Sequence, residues 1–368
     1  VVVSSGRVIV SLLIWVIFFF FMFFVFFFLM RRRPPRSTLF PYTTLFRSNV
    51  KGASAAGKST IRPAQRRLAE RLNIPWEDFA LISPDYWRKF LLDYASLGPD
   101  YKYAAMLTGQ ELEIIDKKLD QYMSVKALKK SMPHLLIDRF RFDSFQTVQD
   151  SGKNSTLLTR FGDTVYLFFV ISPPAATVER AWTRGKETGR YKAVEDLLYH
   201  NIEAYTGIPR LFFSWIFSTD KKIHFEFLDN SVAFGKPPRT IAFGWNDNMT
   251  ILDLDRLNDI DRFQNININA TRPEDVFKAT SEPRFEFLKD CIARFPHLTL
   301  ADYDSLKIFG QTHRGEWIYE NTTVANENDR RILLSTLGRN LSSGPSDSQL
   351  KSVDAKAEKR FTLGAWGG

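Results

Sequence analysis

The sequence predicts an α/β fold in three layers, with a parallel sheet between helices, a helical lid and an α+β C-terminal extension. Three observations predict it. Gly52-Ala53-Ser54-Ala55-Ala56-Gly57-Lys58-Ser59-Thr60 fits G-x-x-x-x-G-K-[ST], the phosphate-binding loop that joins a strand to a helix. Thr60–Leu72 has helical spacing, with Ile61, Leu68 and Leu72 apolar and Arg66, Arg67, Glu70 and Arg71 outward. Val165–Ile171 (VYLFFVI) is continuous, apolar and rich in β-formers, as a strand buried on both faces must be.

The loop's chemistry explains its spacing. Gly52 and Gly57 let the backbone curl so that successive N–H groups converge on phosphate oxygens. Lys58 reaches the β- and γ-phosphates as a point charge, and Ser59 offers a hydroxyl to Mg²⁺. The following helix sets its positive dipole end under the phosphates. All nine residues from Gly52 to Thr60 are therefore candidate cofactor-binding residues, with ATP and Mg²⁺ as the cofactors.

The first 48 residues read differently. Val8–Met30 is nearly all apolar and precedes Arg31, Arg32 and Arg33, so by rule it is a membrane span with the loop on the cytoplasmic side. Yet Phe18–Phe28 holds nine Phe in eleven positions, as a run of T nucleotides would encode. Thr38–Ser48 (TLFPYTTLFRS) back-translates to the end of a common sequencing adapter. Residues 1–48 are accordingly read as an artefact and set aside, which leaves no membrane contact unless residues 8–30 are genuine. The expectation that follows is a truncated first strand. Thr43–Val50 is its stand-in, although Arg47 suits a central strand badly.

The charge of +9 shrinks in the same way. The first 48 residues carry six Arg and no acid, so the remainder is +3 and gives no argument for nucleic acid. A lone Cys291 excludes an internal disulfide framework and fits a reducing compartment, hence a cytoplasmic protein. The expected domains are 49–230 with the loop, 231–338 as the extension, and 339–368 as a polar, disordered tail.

In chain order, Phe79–Ile82 is a second strand that ends at Ser83-Pro84-Asp85. Ligands bind beyond the carboxyl ends of strands in open α/β sheets, which makes Asp85 a candidate. Tyr86–Tyr94 reads as a helix and Leu97–Asp100 as a turn. Tyr101–Lys130 is a long helical stretch broken near Thr108-Gly109, its second half opened by a Thr108/Glu111 capping box. His134–Phe142 begins as a strand, with Asp138 after three apolar residues as a metal-holding carboxylate would be. Ala175–Arg184 is helical, Gly185–Gly189 interrupts, and Tyr191–Tyr205 resumes. Ile223–Leu228 is a strand, and Asp229-Asn230 after it are placed over the nucleotide base. Arg239–Trp245 and Thr250–Leu254 form a hairpin around Asn246-Asp247-Asn248, and Arg272–Thr280, Arg284–Phe295 and Asn328–Leu337 are helical.

Several of these residues carry chemistry on one reading and structure on another. Asp85 would accept or orient a hydroxyl proton, or cap the helix that follows it; the two roles are compatible. Arg180, Arg184 and Arg190 flank a Gly-containing elbow, as a closing lid over a phosphoryl group would need, or form a solvated basic face. Arg139 and Arg141 would grip an anionic substrate or pair with Asp143. The histidines at 134, 200, 224, 297 and 313 lack metal-ligand spacing, and Cys291 reads as core.

With Gly52–Thr60, Asp85, Leu136–Asp138 and the Arg180–Arg190 elbow in place, residues 49–230 resemble the zeta-toxin-like P-loop kinases, within the P-loop NTPase fold. The resemblance implies a kinase that moves the γ-phosphate of ATP to a hydroxyl of a small molecule. It implies Lys58 and Ser59 as ATP/Mg²⁺ residues, Asp85 as the carboxylate after the second strand, and the arginines as a group in the lid. Asp138 would hold the metal with Ser59. The acceptor is not carried over, because the Tyr101–Ser131 stretch and everything after Asn230 have no counterpart in the family. The alternative is a nucleotide-binding ATPase or switch that acts through a protein partner.

Overall fold

The computed structural model describes residues 45–83, 91, 93, 96–103, 108–129, 131–138, 162–188, 192–217, 221–277, 285–338 and 351–367. The expected membrane-like segment lies outside them, as do Asp85, Arg139, Arg141 and Arg190. Among the described residues no helix is long and apolar enough to cross a membrane.

Five parallel strands carry the site: β1 (Phe46–Gly52), β2 (Phe79–Ile82), β3 (His134–Asp138), β4 (Thr164–Ile171) and β5 (Lys222–Asp229), in the order β2-β3-β1-β4-β5. β2 and β4 form where the apolar runs predict them. The sheet does not end at β5. It continues through β6 (Arg239–Trp245) and β7 (Asn248–Ile251), which make the expected hairpin, and then β8 (His297–Ala301), β9 (Ile308–His313) and β10 (Glu316–Glu320). Only β8 enters this second half parallel to its neighbour; the other pairings are antiparallel. The residues after 230 thus extend the same ten-stranded sheet.

β1 forms largely where Thr43–Val50 was expected to stand in for a truncated strand, and Arg47, judged a poor fit there, is held inside it. It lies between β3 and β4 and is buried throughout, although it reads FRSNVKG. Arg47 is accommodated by donating from Nη2 to the Gly162 carbonyl at 3.0 Å. Ser48 Oγ accepts from Gln65 Nε2 at 2.7 Å. Asn49 has no such partner: it is fully buried and neither side-chain Oδ1 nor Nδ2 is hydrogen-bonded.

Helices cover the sheet. α1 (Arg62–Arg71) follows a 3-10 turn over Lys58–Ile61 and buries Ala64, Gln65, Leu68 and Ala69. α2 (Gly109–Leu128) starts at Thr108, but Thr108 makes no side-chain capping bond, so the expected capping box is not formed. α3 (Pro174–Thr188) runs straight through Gly185, where a break was expected. A glycine inside a helix costs only about 1 kcal/mol relative to alanine. Here Thr177, Ala181 and Gly185 make a buried line of small residues, and Asn201 of α4 (Val194–Ile216) donates to Thr177 Oγ1 at 2.9 Å. Phe212 of α4 meets Phe169 of β4, Phe225 and Phe227 of β5, and Phe287 and Phe295, with ring centroids 4.9–5.9 Å apart. Phe287 belongs to α6 (Glu286–Arg294), which like α7 (Glu327–Leu337) forms where predicted. Between them in space lies α5 (Leu254–Arg262), which the sequence reading missed. Arg272–Thr280, expected to be helical, contains only a 3-10 turn at Pro273–Asp275 in its described part.

The tail also differs from expectation. Residues 351–367, expected to be disordered, are packed. They include a single short turn of helix, α8 (Ala355–Glu358). Ile308 N donates to Lys351 O, Val353 N to Leu306 O, and Thr240 N to Ala365 O. Leu363 and Trp366 are buried. A polar run hid these apolar anchors. Glu226 of β5 receives the tail through Leu363 N (2.6 Å) and Gly364 N (3.0 Å), and Thr240 Oγ1 donates to it at 2.6 Å. Burial pushes its carboxyl up to about 7, against those donors and the Arg71 charge. Arg71 of α1 closes the arrangement, donating to Arg360 O and Thr362 O.

Candidate active site

The loop leaves β1 at the carboxyl end of the parallel strands, where ligands bind in open α/β sheets. Gly52 is there because of close approach: a Cβ would lie 2.5 Å from the Val170 carbonyl of β4. The backbone then curls through Ala55 (φ 61°) and Gly57 (φ 93°) into the 3-10 turn. Ala53 and Ala56 are buried, while Ser59 and Thr60 are exposed at the mouth. Thr60 Oγ1 donates to Gly57 O at 2.7 Å. The Lys58 ammonium lies back along the loop, donating to Gly52 O (3.0 Å) and Ala53 O (2.7 Å).

The underside of the loop is held from three directions. The Ala56 carbonyl accepts from Asn230 Nδ2 at 2.8 Å, Ser172 Oγ at 3.0 Å and Arg180 Nη1 at 3.3 Å. Ser172 and Asn230 sit just past β4 and β5, so the sheet positions both. Arg180 also donates to Ser172 Oγ (3.2 Å) and, through Nη2, to Asn230 O (2.5 Å). Behind them the Tyr205 hydroxyl of α4 donates to Ser172 O and accepts from Ser172 N, both at 2.8 Å; burial and the nearby Asp259 and Asp229 raise its pKa, so the phenol stays protonated. Arg180, expected in a lid, therefore grips the back of the loop. Asp229 and Asn230, expected over a base, are nine-tenths buried. Asn230 meets the loop. Asp229 accepts from Ser231 N at 2.9 Å and pairs with Arg239 at 3.8 Å and Arg256 at 4.0 Å.

Asp138 ends β3 beside β1, in register with Val50. It is brought next to the loop's helix, where Arg62 Nη2 pairs with it at 3.5 Å. Burial lowers the Arg62 pKa and Asp138 raises it, so the pair is a partly desolvated one. Arg184 is half-buried on α3. His200 of α4 contacts the Lys192 side chain. Burial, then Lys192, depress its pKa to about 4, opposed by Asp196, and the Lys58 charge lowers it further. The other histidines are structural as expected where they can be read: His134 Nδ1 accepts from Phe46 N at 2.9 Å, and His224 is fully buried. Cys291 is buried in α6.

The residues missed by sequence reasoning are Ser172, Tyr205 and Arg62. Only Ser172 carried a signal, as the first residue past the strongest strand.

Fold and loop together define an α/β protein whose Gly52–Thr60 loop, with the P-loop motif, lies at the carboxyl ends of its parallel strands. No family model matches the chain, and no curated protein matches it. Solved structures that it resembles include a kinase candidate from Chloroflexus aurantiacus, at 20% identity and TM-score 0.27, over 40% of this chain and 69% of that one. Another comes from the PezAT chromosomal toxin–antitoxin system of Streptococcus pneumoniae, at 16% identity and TM-score 0.32, over 54% and 74%. At those TM-scores neither carries an argument about this chain, and the functional reading rests on the site.

Proposed function

We propose that this chain is an ATP-dependent phosphotransferase, a zeta-toxin-like small-molecule kinase acting on a hydroxyl. One observation carries the reading: the Gly52–Thr60 loop is folded as a phosphate cradle, between a central parallel strand and a helix, with Lys58 inside it. The residues fit a nucleoside triphosphate with Mg²⁺. A Cβ at Gly57 would fall on the Asn230 side chain, so glycine lets Asn230 close on the back of the loop. The hydroxyl of Ser59 is exposed at the same mouth. Among the described residues no three carboxylate, imidazole or thiolate groups form a metal cage; Mg²⁺ at phosphates is held by one or two protein groups and water.

When bound, ATP·Mg²⁺ supplies an electrophilic phosphoryl group whose charge is spread over its oxygens. The chain's part is to bind, orient and neutralise. Lys58 exchanges two neutral carbonyl acceptors for anionic oxygens, a stronger partner for an ammonium. Ser59 and Asp138 hold the ion, and Asp138 does so by yielding its Arg62 partner or acting through water. Asp85 takes the proton of the acceptor hydroxyl, Arg139 and Arg141 bind anionic parts of the acceptor, and Arg184 and Arg190 neutralise charge on the transferred group. The single buried Cys291 suits a reducing, cytoplasmic setting.

The test is transfer of label from γ-labelled ATP to a panel of nucleotide sugars, nucleosides, sugars and amino alcohols, with Lys58→Ala beside the wild type. Label on one acceptor, lost in the variant, is expected. Undiminished transfer by Lys58→Ala would sink the assignment. Label released only as free phosphate would favour the nucleotide switch that acts through a protein partner.

A further inference from the structure

A trans peptide points its C=O and the following N–H in opposite directions. The Ala56 carbonyl points away from the cradle, into Ser172, Arg180 and Asn230. The Gly57 N–H on the same peptide unit must then point the other way, toward the space that phosphates would occupy. We propose that Ser172, Arg180 and Asn230 are positioning residues. They lock the Ala56–Gly57 peptide in the orientation that offers its N–H to phosphate, and Arg180 serves this clamp and not the lid.

The alternative orientation is a flipped peptide, which the local backbone permits. Ala55 has φ 61° and Gly57 has φ 93°, both in the left-handed region, and glycine is as comfortable on the other side of the map. A flipped unit would turn a carbonyl oxygen toward phosphate oxygens and repel them. Three donors on one carbonyl, one of them a guanidinium, oppose the flip. They also polarise the peptide unit, which strengthens the N–H as a donor. The donors are themselves cross-linked: Arg180 bonds both Ser172 Oγ and Asn230 O, and Tyr205 fixes Ser172 through N and O. Arg180 has one guanidinium nitrogen on Ala56 and Ser172 and the other on Asn230, so reaching a transferred phosphoryl group would cost it this set of bonds.

The inference rests on the nucleotide reading only for what the clamp is for; its geometry is testable without nucleotide. The first readout is the Gly57 amide in the ligand-free protein, by ¹⁵N-labelled NMR and hydrogen exchange, in wild type, Arg180→Met and Ser172→Ala. Using two variants guards against one failing to fold. The expected result is a shifted Gly57 amide with a changed exchange rate in both folded variants. An unchanged Gly57 amide overturns the clamp. The second readout is MgATP affinity by calorimetry together with turnover. Arg180→Met is expected to raise Kd about tenfold, Arg180→Lys less, and the Arg180→Met/Asn230→Ala double variant to lose less than the product of the singles, because all act on one carbonyl. Unchanged Kd with a collapse of kcat in Arg180→Met would instead make Arg180 a lid arginine and overturn the proposal. Wild type that binds neither MgATP nor pyrophosphate would defeat the kinase reading, while the Gly57 amide would still decide the clamp.

Discussion

Replacing Glu226 by glutamine isolates the link between the sheet and the docked tail. The carboxyl is fully buried and accepts from Thr240 Oγ1, Leu363 N and Gly364 N. Burial raises its pKa from 4.5 to about 7. In the unfolded chain it titrates at the ordinary value, so between those limits the folded state binds more protons. Stability from this group is therefore fully present below about pH 4.5 and is lost as pH rises through about 7. At 1.36 kcal/mol per pKa unit, the loss across that window is about 3 kcal/mol. Glutamine cannot ionise, so Glu226→Gln removes the slope. It also turns an amide N–H₂ toward one of the three donors, which costs about 1 kcal/mol at every pH. Urea denaturation of both proteins at pH 5, 6, 7 and 8 should then show the variant less stable at pH 5 and gaining on the wild type by about 3 kcal/mol towards pH 8. Parallel stability profiles would refute the reasoning. They would mean that the three donors and the Arg71 charge outweigh desolvation and keep Glu226 ionised throughout.

Three more outcomes follow from named contacts. Asn49→Val should stabilise the fold by about 1–3 kcal/mol, because it removes a buried amide with no partner from the central strand; a loss of stability in denaturation would show that the amide is satisfied. Gly57→Ala, at φ 93° with Asn230 in the way, should cost more than Gly98→Ala, at φ 49° in open space, where strain alone predicts about 1 kcal/mol; equal losses would contradict the tight seat of Gly57. Arg62→Ala frees Asp138, so half-saturating Mg²⁺ for turnover should fall severalfold, and Asp138→Asn should raise it; unmoved Mg²⁺ dependence in both would remove Asp138 from the metal.

What could be read from the sequence was whatever local pattern determines. β4, with its unbroken VYLFFVI, and β2 formed as read, and so did α6 and α7, whose apolar spacing faces one side. In β1 the fit of Arg47 was misjudged, because central strands are normally apolar; long-range partners such as Gly162 and Gln65, invisible locally, let Arg47 and Ser48 in. β8, β9 and β10 were missed because they are only five or six residues long and mix polar with apolar residues, and short strands of that kind take their pairing from their neighbours in the sheet. The loop's place between strand and helix, and the place of Asp138 at the end of β3, were legible from motif and strand position. The hydrogen bonds of Arg180 to the back of the loop were not legible, because a charge run on a helix does not say which way each side chain turns. Tyr205 meets Ser172 behind the loop only through the packing of α4 on β4.

The grip on Ala56 also bears on how portable the phosphate loop is. All three donors read a backbone oxygen, so they impose nothing on the side chain at 56 and leave no trace in the motif. The instruction for the loop's shape is written at 172, 180 and 230, more than a hundred positions away. A designer who grafted Gly52–Thr60 onto another strand-helix junction would transfer the letters without the support that gives them their conformation. The smallest transferable unit is the loop together with the carboxyl ends of β4 and β5 and the first turns of α3.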